Sequence, residues 1–288
     1  MKITITGASG FIGRRLRSAL EGSGHSVCAL GRTSAMRWDP MAGEPPAESL
    51  AGMDAVVHLA GEPVAQRWSA EAKARIRESR VRGTRHLIQG LSIASPRPSV
   101  LVCASAIGIY GSRGDEVLTE SSAPGEGFLT DVCVAWEKEA GLAEALGMRV
   151  VKLRIGVVLG REGGALPKML PPFKACVGGR LGSGRQWMSW IHVDDLAGLI
   201  RHAVEQPLKG VMNGTAPVPV TNADFTAKLA SAISRPAIFP VPAFALRALF
   251  GEMAQVLLGS QRVLPVVARE SGYKFRYDRV EAALKNLL

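Results

Sequence analysis

The stretch that decides the fold is Lys2-Ile3-Thr4-Ile5-Thr6-Gly7-Ala8-Ser9-Gly10-Phe11-Ile12-Gly13. Its first part predicts a short buried strand, and residues 14–20 after it predict an amphipathic helix. Gly7 suits a tight turn, Gly10 lets the backbone approach a pyrophosphate, and Gly13 lets helix and strand pack closely. A glycine-rich turn can be only a connector, but its place between a strand and a helix favours a dinucleotide site, with the helix N–H groups facing the phosphates.

Strands and helices alternate through the first two thirds of the chain. Further strands are predicted over 25–30, 54–61, 100–105 and 149–158, and further helices over 69–92 and 129–146. The strands are apolar enough to be buried on both faces. The pattern predicts the α/β class: an NAD(P)-binding Rossmann fold with a doubly wound parallel sheet, whose ligands lie beyond the carboxyl ends of the strands.

A smaller, mostly helical C-terminal lobe is predicted where prolines and glycines become frequent after Gly160. We expect residues 1–165 to form the Rossmann domain and residues 190–215 to return to it, and we assign 166–189 and 216–288 to the lobe. An aspartate of the Asp194-Asp195 pair is expected to cap a helix, and residues 236–288 are expected to be largely helical. The apolar segment 243–258 is too short and too interrupted by charge to span a membrane, so we expect a core-facing helix.

The net charge and the cysteine content limit the kinds of partner and site that the sequence predicts. The net charge of +10 and the pI of about 9.8 raise a nucleic-acid hypothesis. However, the densest basic stretch, 67–85, also holds Glu71 and Glu78 and has no aromatic-interleaved motif, so no nucleic acid is expected. The four cysteines lie far apart and predict neither a metal site nor a disulfide framework. We expect a cytoplasmic protein that does not bind membranes, has no cleavable signal and acts on a small molecule as a monomer or homodimer.

The residue after the second predicted strand bears on the cofactor. An acidic side chain there favours NAD, whereas an arginine accommodates the 2′-phosphate of NADP. The strand ends in Leu30-Gly31-Arg32, and no carboxylate follows before Asp39. Arg32 could be a plain surface arginine, but after the glycine turn it predicts NADP(H) in preference to NAD.

Several motifs stand in an order that resembles the extended short-chain dehydrogenase/reductases, the nucleotide-sugar epimerase and dehydratase group. These motifs are Thr6 to Gly13, His58-Leu59-Ala60-Gly61, Tyr110-Gly111, the stretch 153–160 and Trp190-Ile191-His192-Val193-Asp194-Asp195. Four further phrases, 62–68, 105–111, Trp136-Glu137 and 259–265, resemble the atypical subgroup known as epimerase family proteins. The resemblance covers essentially the whole chain.

The resemblance implies a nicotinamide cofactor along the sheet edge, with Ala60-Gly61 toward the adenosine side and Ser105 and Ile155-Gly156 near the nicotinamide. The cofactor-binding residues it implies, together with Arg32, are Gly7, Ser9, Gly10, Phe11, Ile12, Gly13, Leu59, Ala60, Gly61, Ser105, Ile155 and Gly156.

One expected catalytic element is missing. Ordinary members of the resembled group use a Tyr-x-x-x-Lys pair, but no lysine lies four residues beyond Tyr110, Tyr273 or Tyr277. This loss puts a nucleotide-sugar substrate in doubt while it leaves cofactor binding intact.

Other residues could carry the chemistry. Glu137 or Asp131 could carry a proton if burial raises its pKa toward neutrality, and Ser105 or Tyr110 could donate a hydrogen bond to a substrate carbonyl. His192 could act as a base, cap a helix or pack, and Cys133 as a nucleophile lacks a recognisable histidine partner. The sequence therefore predicts an NADP(H)-dependent oxidoreductase or epimerase-like enzyme for an unidentified polar metabolite, with an inactive NADP(H) sensor as the alternative.

Overall fold

The computed structural model describes all 288 residues, which form thirteen strands and ten α-helices. The strands are β1 (Lys2–Thr6), β2 (Ser26–Gly31), β3 (Met36–Arg37), β4 (Ala55–His58), β5 (Val100–Ala106), β6 (Val117–Leu118), β7 (Arg149–Ile155), β8 (Val157–Leu159), β9 (Trp187–Met188), β10 (Trp190–His192), β11 (Gly210–Gly214), β12 (Val220–Thr221) and β13 (Arg262–Val263). The helices are α1 (Phe11–Glu21), α2 (Ala70–Ile93), α3 (Phe128–Gly141), α4 (Leu166–Lys174), α5 (Val193–Glu205), α6 (Asn222–Ala232), α7 (Ala243–Phe250), α8 (Ala254–Leu258), α9 (Val266–Glu270) and α10 (Val280–Leu287).

Seven strands form one parallel sheet in the order β11-β7-β5-β4-β1-β2-β3. The order runs outward in both directions from the junction of β1 and β4, which is the topological switch point of a doubly wound sheet. All carboxyl ends therefore meet at one edge of the sheet. The predicted Rossmann fold class is confirmed.

Two apolar layers cover the sheet because its strands are apolar on both faces. Helices α1 and α5 pack on one face, where Ile3 and Ile5 are fully buried. Helices α2 and α3 pack on the other, where Val56 and Leu101 are fully buried. Both layers hold the strand ends in fixed positions.

The prediction of one continuous strand over 149–158 is wrong, because Gly156 divides it. The Gly156 N–H donates to the Gly214 carbonyl, the last residue of β11, at 3.0 Å, and the Val157 N–H donates to the Ser189 carbonyl at 2.8 Å. A Cβ on Gly156 would lie 2.6 Å from the Ser189 carbonyl oxygen, so this break requires glycine. Beyond it, β8 leaves the main sheet and pairs with β10.

Two other local predictions also need correction. The helix predicted to reach residue 146 ends as an α-helix at Gly141 and continues as a 3₁₀ helix over Leu142–Leu146. Helix α5 is capped by His192, not by an aspartate, since the His192 Nδ1 accepts the Asp194 N–H at 3.0 Å. Asp194 and Asp195 lie instead in the first turn, where they complement the helix dipole.

The C-terminal part contains a third core, in which Trp190, Phe225 and Leu284 are buried together. Most of the regular structure in residues 236–288 is helical, as predicted, although loops and β13 separate helices α7 to α10. The core-facing helix predicted over 243–258 is wrong: Gly251, with φ +60°, ends α7, and Phe244 and Leu249 are 73% and 66% exposed. None of the ten α-helices has the length and apolar character needed to cross a bilayer.

Candidate cofactor and active site

The turn between β1 and α1 has the geometry that its three glycines predict. Gly7 has φ +70°, and its carbonyl accepts the Gly10 N–H at 3.0 Å. A Cβ on Gly13 would lie 2.3 Å from the Gly7 carbonyl oxygen, and one on Gly7 would lie 2.9 Å from the Ala60 nitrogen. Gly10 is exposed at the start of α1, and that first turn holds no acidic residue. The turn therefore presents free N–H groups and the positive end of a helix dipole to solvent.

A buried polar chain fixes the neighbouring turn after β4. The Thr6 hydroxyl lies 2.7 Å from the His58 Nδ1 and accepts the N–H groups of Leu59 and Ala60 at 3.1 and 3.2 Å. The His58 Nε2 lies 3.1 Å from the Thr84 hydroxyl. Burial, reinforced by the charge of Arg80, lowers the pKa of His58 to about 4, so the ring is neutral near pH 7. The Thr6 hydroxyl therefore holds the Leu59-Ala60-Gly61 turn, and His58 holds that hydroxyl. The sequence did not predict this role for His58.

Phe11 and Arg32 have different surroundings. The Phe11 ring packs against Gly160, Gly163 and Gly164, where added Cβ atoms would overlap it. Its side chain therefore anchors the loop 160–164 to the start of α1, and only its backbone faces the turn. Arg32 is exposed after β2 and makes no hydrogen bond or ion pair within the protein. It remains available to an outside anion.

Ser105, at the end of β5, belongs to a hydrogen-bonded cluster with α3 and β7. The Ser105 hydroxyl donates to the Glu137 Oε1 at 2.6 Å. The Arg154 guanidinium donates to both Glu137 oxygens, at 2.8 and 2.9 Å. Burial would lower the pKa of Arg154, but the hydrogen bonds and charge of Glu137 outweigh burial and raise it. The two-point ion pair therefore fixes the orientation of the Glu137 carboxylate.

Tyr110 closes this cluster from within the protein. Its hydroxyl donates to the Asn213 Oδ1 at 2.7 Å and accepts from Arg154 at 3.0 Å, and its ring is fully buried. Burial raises the pKa of the phenol, while Arg154 opposes that shift. The structure thus brings Ser105, Tyr110 and Glu137 together. However, the Tyr110 hydroxyl already donates its hydrogen bond to Asn213, and its buried ring has no exposed surface that a substrate could contact.

The other candidate catalytic residues either lie outside this cluster or have no reactive group available. Asp131 is exposed and makes no side-chain hydrogen bond. Burial raises the pKa of the Cys133 thiol to about 11, so it is not a thiolate near neutral pH. His192 caps α5, bonds Asn286 at 3.1 Å and stacks on Tyr277, which gives it a structural role. No group of three or more His, Cys, Asp or Glu is arranged to hold a metal ion.

Sequence reasoning missed Arg154 and Arg80. Arg154 lies in the family motif over residues 153–160, but the sequence predicted no function for it. Its place in the apolar strand Val150-Val151-Lys152-Leu153-Arg154-Ile155 was a signal, since a buried arginine requires a carboxylate partner. Arg80, on α2, donates to the Glu62 and Ile76 carbonyls and lies over the Trp136 ring. Nothing in the helical pattern distinguishes it from its exposed arginine neighbours.

The sheet and glycine turn define a Rossmann protein of the dinucleotide-binding class. Residues 3–216 match the NAD dependent epimerase/dehydratase family, and residues 241–287 match a domain of unknown function, DUF1731. The chain belongs to this epimerase/dehydratase family, and the predicted resemblance to atypical extended short-chain dehydrogenase/reductases is confirmed.

Relatives match along the whole chain. The chloroplastic epimerase family protein SDR39U1 homolog of Arabidopsis thaliana is 45% identical, with 100% of this chain and 87% of the relative covered. The epimerase family protein YfhF of Bacillus subtilis is 40% identical, with 100% and 98% covered. The crystal structure of human epimerase family protein SDR39U1 (isoform 2) with NADPH superposes with a TM-score of 0.90 at 33% identity, covering 100% and 99%.

Proposed function

We propose that this protein binds NADP(H) at the carboxyl edge of its sheet and acts as an oxidoreductase or epimerase-like enzyme on a small polar metabolite. The observation that carries the proposal is the turn between β1 and α1, where Gly7 and Gly13 leave no room for a side chain and Gly10 is exposed. Such a turn fits a pyrophosphate. The residues proposed to line the cofactor site are those that the sequence analysis named.

Arg32 is proposed to select NADP(H) over NAD. It is exposed beyond β2, has no carboxylate within 4 Å, and can offer paired N–H donors to a 2′-phosphate. The human relative was solved with NADPH, which supports the same preference here.

We propose that Ser105 and Glu137 handle the proton. Bound NADP(H) would supply or accept the hydride at the carbon being reduced or oxidised. While the Ser105 hydroxyl donates to Glu137, its oxygen can accept a hydrogen bond from a substrate hydroxyl. When that alcohol is oxidised, its proton can pass through the Ser105 oxygen to the Glu137 carboxylate, and reduction reverses the path. Tyr110 is proposed to position Arg154, which orients Glu137.

The experiment is a search for turnover. The purified protein is incubated with fractionated metabolite pools and either NADPH or NADP⁺, and absorbance at the reduced nicotinamide band is followed. We expect a pool that changes the cofactor's redox state with the native protein but not with Gly10→Glu. Equal rates for both proteins would contradict the proposal.

The second candidate is an NADP(H) sensor without turnover. It is favoured by one observation: the hydroxyls of Ser105 and Tyr110 both donate to protein acceptors. A sensor predicts cofactor binding with no active pool, and a protein partner that is captured with only one of NADP⁺ and NADPH. Identical partners with both forms would exclude it.

The cellular setting and domain division are also proposals. All four cysteines are free thiols, which supports a reducing, cytoplasmic compartment. Strand β11 joins the main sheet, which supports the return of residues 190–215 to the Rossmann domain. A monomer and a homodimer both remain compatible with the fold.

A further inference from the structure

A groove on the C-terminal lobe lies between helix α6, the loop that carries Arg180 and the segment 235–240. Its volume is about 530 Å³, which is within the range of small-molecule sites. Its lining residues are Arg180, Ala223, Thr226, Ala227, Ala230, Ser231, Arg235, Ala237, Ile238 and Pro240. None of them belongs to the proposed cofactor site or to the Ser105 cluster, so the groove is a separate feature of the lobe.

One face of α6 forms the floor of the groove. The floor residues recur at the three- and four-residue spacing that places side chains on one side of a helix, and they are Ala223, Thr226, Ala227, Ala230 and Ser231. Their side chains are small, which leaves a hollow between the helix and the segment 235–240. A hollow of small residues selects no ligand by itself, so the polar groups around it decide what it can hold.

Thr226 gives this floor a polar group that the protein does not use. The residue lines the groove and is only 6% exposed, and its hydroxyl makes no hydrogen bond within the protein. The Thr221 hydroxyl, by contrast, caps α6: it accepts the Asp224 N–H at 3.1 Å and donates to the Asp224 carboxylate at 2.6 Å. A largely buried hydroxyl without a partner is costly. Thr226 therefore marks a place where a ligand can supply the missing hydrogen bond.

Two arginines stand at opposite ends of the floor. Arg180 packs against the first turn of α6, since a Cβ on Gly184 would lie 3.0 Å from the Arg180 Cδ and 3.1 Å from the Ala223 Cβ. Arg235 follows the last turn, where its N–H donates to the Ala230 carbonyl at 3.0 Å. Ala223 and Ala230 are about 10 Å apart along the helix axis. Arginine side chains are long enough for both guanidinium groups to approach the middle of a face of this length, where Thr226 lies.

The loop that carries Arg180 is fixed before any ligand arrives. The Leu181 N–H donates to the buried Asn222 Oδ1 at 2.8 Å, and the Ala223 N–H donates to the Gly184 carbonyl at 2.9 Å. The Arg180 carbonyl accepts the Val241 N–H at 2.9 Å. A ligand at this end of the groove therefore has little backbone to order.

No acidic side chain neutralises the two arginines. Residues 163–189 contain no aspartate or glutamate, and the one carboxylate of α6, Asp224, does not line the groove. The other cation of α6, Lys228, is paired with Glu281 at 3.0 Å, whereas no carboxylate lies within 4 Å of either arginine. Neither guanidinium donates a hydrogen bond within the protein. The groove therefore offers paired N–H donors to an anion.

Apolar surface surrounds these polar groups. Half of the lining residues are alanine or isoleucine, namely Ala223, Ala227, Ala230, Ala237 and Ile238. No aromatic side chain lines the groove, so a nucleobase would find no ring to stack on. The groove thus combines a site for one anionic group with a smooth apolar face, which suits a hydrocarbon chain.

We propose that this groove binds a single-chain amphiphilic anion of the acyl carboxylate class. The carboxylate is held between Arg180 and Arg235, beside the Thr226 hydroxyl, and the hydrocarbon chain covers the alanines of α6 and Ile238. The inference does not rest on the proposed function, because it uses no residue of the cofactor site.

The test begins with three ligands titrated calorimetrically into the native protein. Decanoate carries a carboxylate and a chain, acetate carries only the carboxylate, and 1-decanol carries only the chain. We expect decanoate to bind at least about tenfold more tightly than either of the others. No measurable binding of decanoate, or equal affinities for the three ligands, would overturn the proposal.

Surface variants then locate the site. The double variant Arg180→Gln with Arg235→Gln is expected to weaken decanoate at least about tenfold, and Ala227→Leu, at an exposed position, is expected to do the same by filling the floor. Arg185→Gln is the control, because Arg185 is an exposed arginine without an ion pair that lies outside the groove, and its affinity should stay within about twofold. A double variant that binds decanoate as tightly as the native protein would overturn the assignment, as would an equal loss in Arg185→Gln.

Two further titrations separate the remaining explanations. NADPH affinity is expected to stay within about twofold in all of these variants, which shows that the substitutions leave the rest of the fold intact. Vesicles of phosphatidylcholine and phosphatidylglycerol test whether the same residues serve a membrane surface. Binding of these vesicles without binding of free decanoate would assign the arginines to a bilayer and overturn the proposal.

Discussion

The two halves of the carboxyl edge are built in opposite ways. On the β1 and β2 side, the glycine turn leaves helix N–H groups open and Arg32 has no partner. On the β5 and β7 side, Ser105, Glu137, Arg154, Tyr110 and Asn213 satisfy one another. The β1 and β2 side, which we call the open half, can therefore gain affinity from a ligand. The β5 and β7 side, which we call the closed half, stabilises the fold and offers a ligand few free groups.

The largest effect on NADPH binding is expected where the glycine turn of the open half leaves no room for a side chain. Gly13→Ala places a Cβ 2.3 Å from the Gly7 carbonyl oxygen and must displace the turn. We expect NADPH affinity to fall at least about a hundredfold, about 2.7 kcal/mol, in a fluorescence titration. Gly22→Ala is the control, because Gly22 lies at the other end of α1 in helical geometry with φ −64°, and its Cβ would lie 3.1 Å from the Ser18 carbonyl oxygen, which a small shift can accommodate. Equal affinities for Gly13→Ala and the native protein would show that the turn does not hold the cofactor.

The closed half is expected to respond in stability instead. Glu137→Gln removes the negative charge that compensates the buried Arg154. In the native pair the Glu137 side chain is 12% exposed and the Arg154 side chain is 8% exposed. We expect the free energy of unfolding in urea to fall by about 3 kcal/mol or more, while NADPH affinity stays within about threefold.

Glu139→Gln is the matched control for that change. It removes another arginine pair from the same helix, but its partner Arg85 is 53% exposed. A much smaller loss of stability is expected because water can solvate the freed charge. Equal losses for the two variants would contradict the view that the closed half is held by a buried ion pair.

His58 predicts a pH dependence at the junction of the two halves. Its pKa is about 4 in the folded protein, against about 6.5 for an unperturbed histidine. As the pH falls from about 6.5 toward 4, the unfolded chain takes up a proton that the folded protein does not. The free energy of unfolding should therefore fall by about 1.4 kcal/mol per pH unit from this group, with no contribution above that range.

Urea unfolding at pH 7, 6 and 5 checks this contribution. His58→Asn is expected to be less stable at pH 7 but to lose less stability on acidification than the native protein. His192, whose pKa burial also lowers, titrates in both proteins and cancels in the comparison. The same acid slope in both would show that His58 is not the group responsible.

The open half was largely predictable from sequence, and the closed half was not. Glycine spacing and Arg32 are local features, so the chain around residues 2–32 could be interpreted without its neighbours. The partners of Ser105 lie on α3 and β7, and those of Tyr110 on β7 and β11, so the contacts exist only after the sheet has formed. The break at Gly156 depends in the same way on Ser189. The cap by His192 was missed because aspartate is the more common capping residue and two aspartates follow the histidine.

Binding of NADP(H) by the open half is tested by titrating the protein with NADPH and NADH at one ionic strength and by repeating both titrations on Arg32→Asp. We expect NADPH to bind at least about tenfold more tightly than NADH, a difference of about 1.4 kcal/mol, and Arg32→Asp to remove this difference. If neither nucleotide binds the native protein, the glycine turn is only structural and the proposed cofactor site is contradicted. Equal affinities for NADPH and NADH in the native protein would contradict the role of Arg32.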